Sequence, residues 1–275
     1  MPLLVWIVLC AALGGIASAG LAVVFLWIPQ PRAERILPHF VSFATGALLG
    51  AALLALLPEA MAGAGVAGAH AIGLTLIVGL GVFFVIEKLV LWWHLRGEEE
   101  TDAQQAHQHG AHAAPHSHAA HSHRRDHASG VLVLVGDSLH NALDGVLIAA
   151  AFLTSVSLGL VTTLAVAAHE IPHRVGDFAI LVHAGFSRER ALLLNLATGL
   201  ASVIGAVAAW YGLRQTLQVL PYALAFATAG FLYIAVAGLI PGLHRRADPR
   251  ASAVQVILIA LGVGVVALAG HLAGE

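Results

Sequence analysis

Apolar residues in this chain run in long unbroken stretches rather than in the short alternations of strands. Eight stretches of 18 or more residues stand at roughly 3–28, 39–60, 69–93, 131–154, 157–182, 190–212, 219–241 and 252–271. Each is long enough to cross a hydrocarbon layer of ~30 Å as a helix. Ala17-Ser18-Ala19 in the first imitates a signal-peptide cleavage site. That stretch lacks a basic leader and stays apolar to Ile28, so it is read as a retained span. The pattern predicts an all-α membrane protein with eight transmembrane helices.

The polar intervals orient these spans. With both termini outside, the inner intervals hold Arg32, Arg35, Arg96, Arg124, Arg125, Arg188, Arg190, Arg245, Arg246 and Arg250, and the outer intervals hold only Arg214. This is a strong positive-inside bias. Five tryptophans, Trp6, Trp27, Trp92, Trp93 and Trp210, fall mostly near span ends, as an aromatic belt requires. Glu87 and Lys88, near the inner end of span 3, are read as snorkelling side chains.

The chain also repeats itself. FATGALLGAALLALLP, from Phe43, aligns without gaps on FATAGFLYIAVAGLIP, from Phe226, with identity at 7 of 16 positions. The displacement that carries Phe43 onto Phe226 also lays Gly79-Leu80-Gly81-Val82 on Gly262-Val263-Gly264-Val265. Spans 1–3 therefore match spans 6–8, and the orientation above sends span 2 outward and span 7 inward. Such an inverted repeat is a common transporter build. The expected arrangement is 3+2+3: residues 1–94 as the first repeat, 95–130 as a cytoplasmic loop, 131–184 as a central hairpin and 185–275 as the second repeat.

Composition supports the membrane setting. Of 275 residues, 59% are hydrophobic and 10% charged, against about 25% charged in soluble domains. The mean hydropathy is +0.87. The formal net charge of −2 gives no basis for nucleic-acid binding, and a single Cys10 excludes an internal disulfide.

Spans 4 and 5, unpaired by the repeat, carry the chemistry. Only Thr154 to Ser157 separates them, so they form an antiparallel hairpin. Counting from its tip puts Asp144 and His169 at similar depth near the bilayer centre, with His140 and His173 about one turn deeper. His140 and Asp144 share a helix face at i,i+4, as do His169 and His173. Asn141 and Glu170 stand beside the histidines, and Pro172 removes a donor from span 5. Each ionisable group at the bilayer centre costs about 2.5–3.5 kcal/mol. A divalent metal repays that cost, and imidazole with carboxylate suits Zn²⁺, Fe²⁺ or Mn²⁺.

HNALDG, His140 to Gly145, followed by HEIPH, His169 to His173, resembles the ZIP family of zinc and iron transporters, and within it the branch whose fifth span begins HEIPHE. LLPEA, Leu56 to Ala60, and a His-rich interval after span 3 extend the likeness over essentially the whole chain. The resemblance implies metal ligands at His140, Asn141, Asp144, His169, Glu170 and His173. It also implies a transporter rather than an enzyme, with zinc as cargo and no resident cofactor; Fe²⁺, Mn²⁺ and Cd²⁺ are alternative cargoes. Partners on this reading are metal ions and lipid, with a homodimer as the assembly allowed for. The chain's brevity and lack of a targeting segment favour a multi-pass protein of a bacterial inner membrane, with an endomembrane as the alternative, both termini extracytoplasmic and the ion carried into the cytoplasm.

Some positions depart from that branch. Arg174 stands where its members have glutamate, Ala51 and Ala55 stand where they commonly have Asp and His, and Ser202 lies near a carboxylate position of binuclear relatives. These changes predict one main transport site, with Arg174 paired to Asp137, or to Glu170 or Asp177.

Two other functions share some of these residues. An intramembrane zinc metalloprotease uses H-E-x-x-H on a regular helix, which Pro172 interrupts, and its LDG-type segment follows that motif, whereas Leu143-Asp144-Gly145 precedes it. A cation-diffusion zinc exporter has six spans with its loop after the fourth. The His-rich interval here holds His107, His109, His112, His116, His118, His121, His123 and His127. It is expected to be disordered and to bind zinc loosely on the cytoplasmic side.

Overall fold

The computed structural model describes residues 2–20, 28, 30–108, 118–244 and 248–272. Among them there is helix and no strand, as the apolar runs require. Five stretches, Leu3–Gly20, Arg35–Leu89, Arg188–Leu213, Leu217–His244 and Pro249–Leu272, are long and apolar enough to cross a membrane.

The chain is divided where local chemistry demands it. Helix α1 is Leu3–Gly20, with a wide π turn at Leu13–Ala17. Residues 30–64 form α2 and residues 66–108 form α3. They meet at Gly65, whose φ of 65° and ψ of 179° suit glycine alone. Helices α4 (His118–Thr154) and α5 (Val156–His183) are separated by Ser155 alone. Ser155 is extended, and its Oγ accepts from the Leu158 N–H at 3.1 Å, which caps α5. This is the tight turn expected at Thr154 to Ser157. Ser187 caps α6, Arg188–Leu213, in the same way. Residues 220–244 form α7, and α8, Pro249–Leu272, starts with the Asp248 carboxylate accepting from Ala251 N–H at 3.0 Å.

Helical backbone extends into the interval expected to be a His-rich loop, to Gln108 and again from His118. Residues 109–117 lie outside the described residues, and with them His109, His112 and His116.

Small residues hold the helices together. Ala44, Ala47, Ala51, Ala52, Ala149, Ala150 and Ala227 are fully buried, whereas Leu74, Ile77, Leu193, Ile204 and Ile257 face outward. In lipid there is no hydrophobic gain between helices, so close backbone approach and van der Waals contact supply the association. The approach is very close between α4 and α6. A Cβ on Gly145 would stand 1.8 Å from the Ser202 carbonyl oxygen, and one on Gly205 would stand 2.0 Å from that of Ala142. These contacts fix the depth of α4 against α6.

The repeat seen in the sequence recurs in the backbone. A π turn at Ala51–Leu56 interrupts α2, and another interrupts α7 at the matching positions, Ile234–Leu239. Thr45 donates to the Val41 carbonyl at 2.8 Å, and its counterpart Thr228 donates to the Leu224 carbonyl at 2.9 Å. Helix α3 packs on α7, and α2 on α8. Gly79 abuts Phe226 and Ala229, while Gly262 abuts Phe43 and Gly46. Exchanging each residue for its counterpart in the other repeat turns the first of these contacts into the second. Midway along α3, Glu87 accepts a hydrogen bond from the Tyr233 hydroxyl of α7.

Candidate metal centre

Polar side chains avoid lipid here by collecting where α4, α5 and α6 meet. Asp137, Asn141, Asp144, His169, Glu170, Arg174, Asn195, Thr198 and Ser202 are all buried. Two clusters divide most of this set.

The first cluster consists of His140 and Asp144 on α4 with His169 and Glu170 on α5. One ligand atom from each lies within 4.8 Å of all the others. His169 Nε2 is 3.3 Å from Asp144 Oδ2 and 4.0 Å from Glu170 Oε1. His140 Nε2 is 3.7 Å from Asp144 Oδ2, 3.5 Å from Glu170 Oε1 and 3.3 Å from His169 Nε2. Ligand atoms around a tetrahedral zinc with bonds of about 2.0–2.1 Å are spaced about 3.3–3.4 Å apart. The five separations above, from 3.3 to 4.0 Å, run from that spacing to somewhat beyond it.

The chemistry of the donor set agrees. Asp144 Oδ2 and Glu170 Oε1 are buried without a hydrogen-bond partner among the described residues. Buried carboxylate oxygens left so are costly unless a cation meets them. His169 Nδ1 lies 3.0 Å from the Ala165 carbonyl. Donation from Nδ1 to that oxygen leaves the lone pair on Nε2, facing the cluster, the usual outer support of a metal-binding imidazole. Phe231 of α7 stands edge-on to His169, with ring centroids 6.2 Å apart, and closes that side.

The second cluster is built on Arg174, which the sequence places one turn beyond Glu170. Its side chain is the largest that is fully buried among the described residues. Nη1 lies 2.8 Å from Asp137 Oδ2, the ion pair expected from the hairpin count. Nε lies 2.9 Å from Glu170 Oε2. Nη1 also donates to the Asn195 carbonyl at 3.0 Å and its Oδ1 at 3.1 Å, and to the Thr198 hydroxyl. Nη2 donates to Asn141 Oδ1, and Asn141 Nδ2 donates to Asp137 Oδ1 at 2.8 Å.

Of the six residues read from the sequence as ligands, four converge. Asn141 bonds to Asp137 and Arg174. His173 lies outside the group of four, exposed, with its ring 5.3 Å from that of His140. Asn195 and Thr198 go beyond the sequence reading. Their signal is that Asn195, Thr198 and Ser202 recur on one face of an otherwise apolar span.

The family model described as ZIP Zinc transporter matches residues 3–270. The chain belongs to the ZIP zinc transporter family. Zinc transporter ZIP13 of Pongo abelii is 34% identical to it over 288 residues, covering 96% of this chain and 78% of that protein. Zinc transporter ZIP13 of Homo sapiens is 34% identical over 304 residues, covering 96% and 80%. Zinc transporter ZIP4 of Homo sapiens is 32% identical over 265 residues, covering 78% of this chain and 40% of that protein. The ZIP match thus runs from α1 into α8, and the buried donor group lies on the two helices that the repeat leaves unpaired.

Proposed function

We propose that this ZIP protein carries Zn²⁺ across the membrane into the cytoplasm, through a site made by His140, Asp144, His169 and Glu170. The observation that carries this reading is the convergence of two imidazole nitrogens and two unpartnered carboxylate oxygens inside a membrane fold. The positive-inside distribution of arginines supports both termini lying outside and the His-rich interval inside. On that orientation His173, beside His140 and about one turn nearer the cytoplasm than His169, is the next donor on the ion's way. Asn141 serves the site indirectly, by holding the Asp137–Arg174 pair.

Two inverted halves moving against the α4–α5 hairpin would open the site to each side in turn. The paired π turns and the exchanged α3–α7 and α2–α8 contacts support that division. Purified protein in liposomes, given radioactive zinc, tests the reading. Uptake that saturates and disappears in His169→Ala is expected. Equal uptake by wild type, His169→Ala and empty liposomes sinks it. Cadmium, iron and manganese in parallel define the cargo.

A further inference from the structure

The two clusters share one residue. Glu170 points Oε1 at the histidines and Oε2 at Arg174 Nε. A second cation near the first would have to use that same Oε2, together with Asp137 and Asn141. Those groups are all taken by the guanidinium.

Charge leads to the same conclusion. Asp137, Asp144 and Glu170 are buried, and Arg174 is the buried cation among them. Three carboxylates against one guanidinium leave two negative charges, the amount that one divalent ion cancels. A second divalent ion would leave two positive charges in a space of low dielectric, where uncompensated charge is most costly. Asp177, one turn beyond Arg174, is half-buried with Oδ2 unpartnered among the described residues. Along α5 it lies further from the donor group than Arg174 does.

Nor is the guanidinium free to step aside. It is always charged, and its planar fork is held on three helices at once: by Asp137 and Asn141 of α4, by Glu170 of α5, and by Asn195 and Thr198 of α6. We infer that Arg174 is a built-in cation that holds this centre to one ion at a time and fixes the orientation of Glu170. It determines stoichiometry without ligating the cargo. The inference rests on the donor group being the metal site.

Anomalous scattering from crystals of the full chain soaked in Cd²⁺ tests it, because each ion is located as well as counted. One peak among His140, Asp144, His169 and Glu170 is expected, and none at Asp137 or Asn141. Arg174→Glu is expected to double the count, with a new peak between Asp137 and the introduced carboxylate, whereas Arg174→Lys keeps one. A second peak beside Arg174 in the wild type overturns the inference, and needs no variant to fold. So does a single peak in crystalline Arg174→Glu. The absence of any peak among the four donors overturns the site reading itself, and this inference with it. Peaks in the His-rich interval fall elsewhere in the map and are not confused with either.

Discussion

His169 Nε2 faces Asp144 Oδ2 across the α4–α5 hairpin at 3.3 Å. The two residues lie on opposite sides of a one-residue turn, at Ser155, which caps α5. The strongest prediction follows. His169→Ala and Asp144→Ala each remove a donor for which no neighbouring group substitutes. Zinc uptake into liposomes should fall at least about 10-fold, since losing even the outer support of a ligand costs roughly 10–100-fold in affinity. Near-wild-type uptake in either correctly inserted variant would contradict the assignment.

His173 separates two versions of the site. Its ring touches His140 but lies outside the four converging atoms. His173→Ala should therefore slow uptake several-fold while leaving equilibrium zinc affinity close to wild type, measured by competition with a fluorescent chelator. A loss of affinity as large as that of His169→Ala would place His173 among the ligands after all.

Substitutions around Arg174 should rank by the charge they strand. Asp137→Ala leaves a buried guanidinium without its closest carboxylate, a loss of about 3–5 kcal/mol. Thr198→Ala removes one hydroxyl acceptor, at about 1–3 kcal/mol. Thermal unfolding in detergent should show Asp137→Ala as clearly the less stable. The reverse order would mean that the ion pair is not what holds the three helices.

Gly145→Val tests the packing that carries the donors. Even a Cβ there meets the Ser202 carbonyl at 1.8 Å, so α4 must move away from α6. Overpacking of this kind costs about 1–3 kcal/mol. Uptake should drop together with the melting temperature, although no donor atom has been changed. A variant with normal stability and normal uptake would show that α4 tolerates displacement.

Deleting residues 106–127 should leave transport measurable. All four donors lie on α4 and α5 beyond that interval, His140 being the first of them in the chain. Response to cytoplasmic zinc is what the deletion should alter. Abolished uptake in an inserted protein would make the interval part of the path.

Much of this is legible in the residues alone. Long apolar runs imply the helices, Thr154 to Ser157 implies the hairpin, and residue counting brings Asp144 to His169 and Arg174 to Asp137. Helical periodicity fixes which side of a helix a residue occupies, but not where its side chain turns. His169 and His173 share a face by spacing, yet only His169 is buried; Asn141 sits next to His140, yet bonds to Arg174. Those choices depend on what the facing helix offers. Here α6 presents Asn195 and Thr198, whose polar pattern marks a face of the span but not the partner that it meets.

The two π turns, Ala51–Leu56 and Ile234–Leu239, each accommodate one residue more than a regular helix would. Deleting that surplus residue from one of them would close the turn to regular helix while the residues on either side keep their faces. The same deletion elsewhere in either helix would swing every following side chain about 100° around the axis, and packed alanines and outward leucines would trade places. The two turns are therefore the points at which these helices can lose a residue without turning their packed faces to lipid.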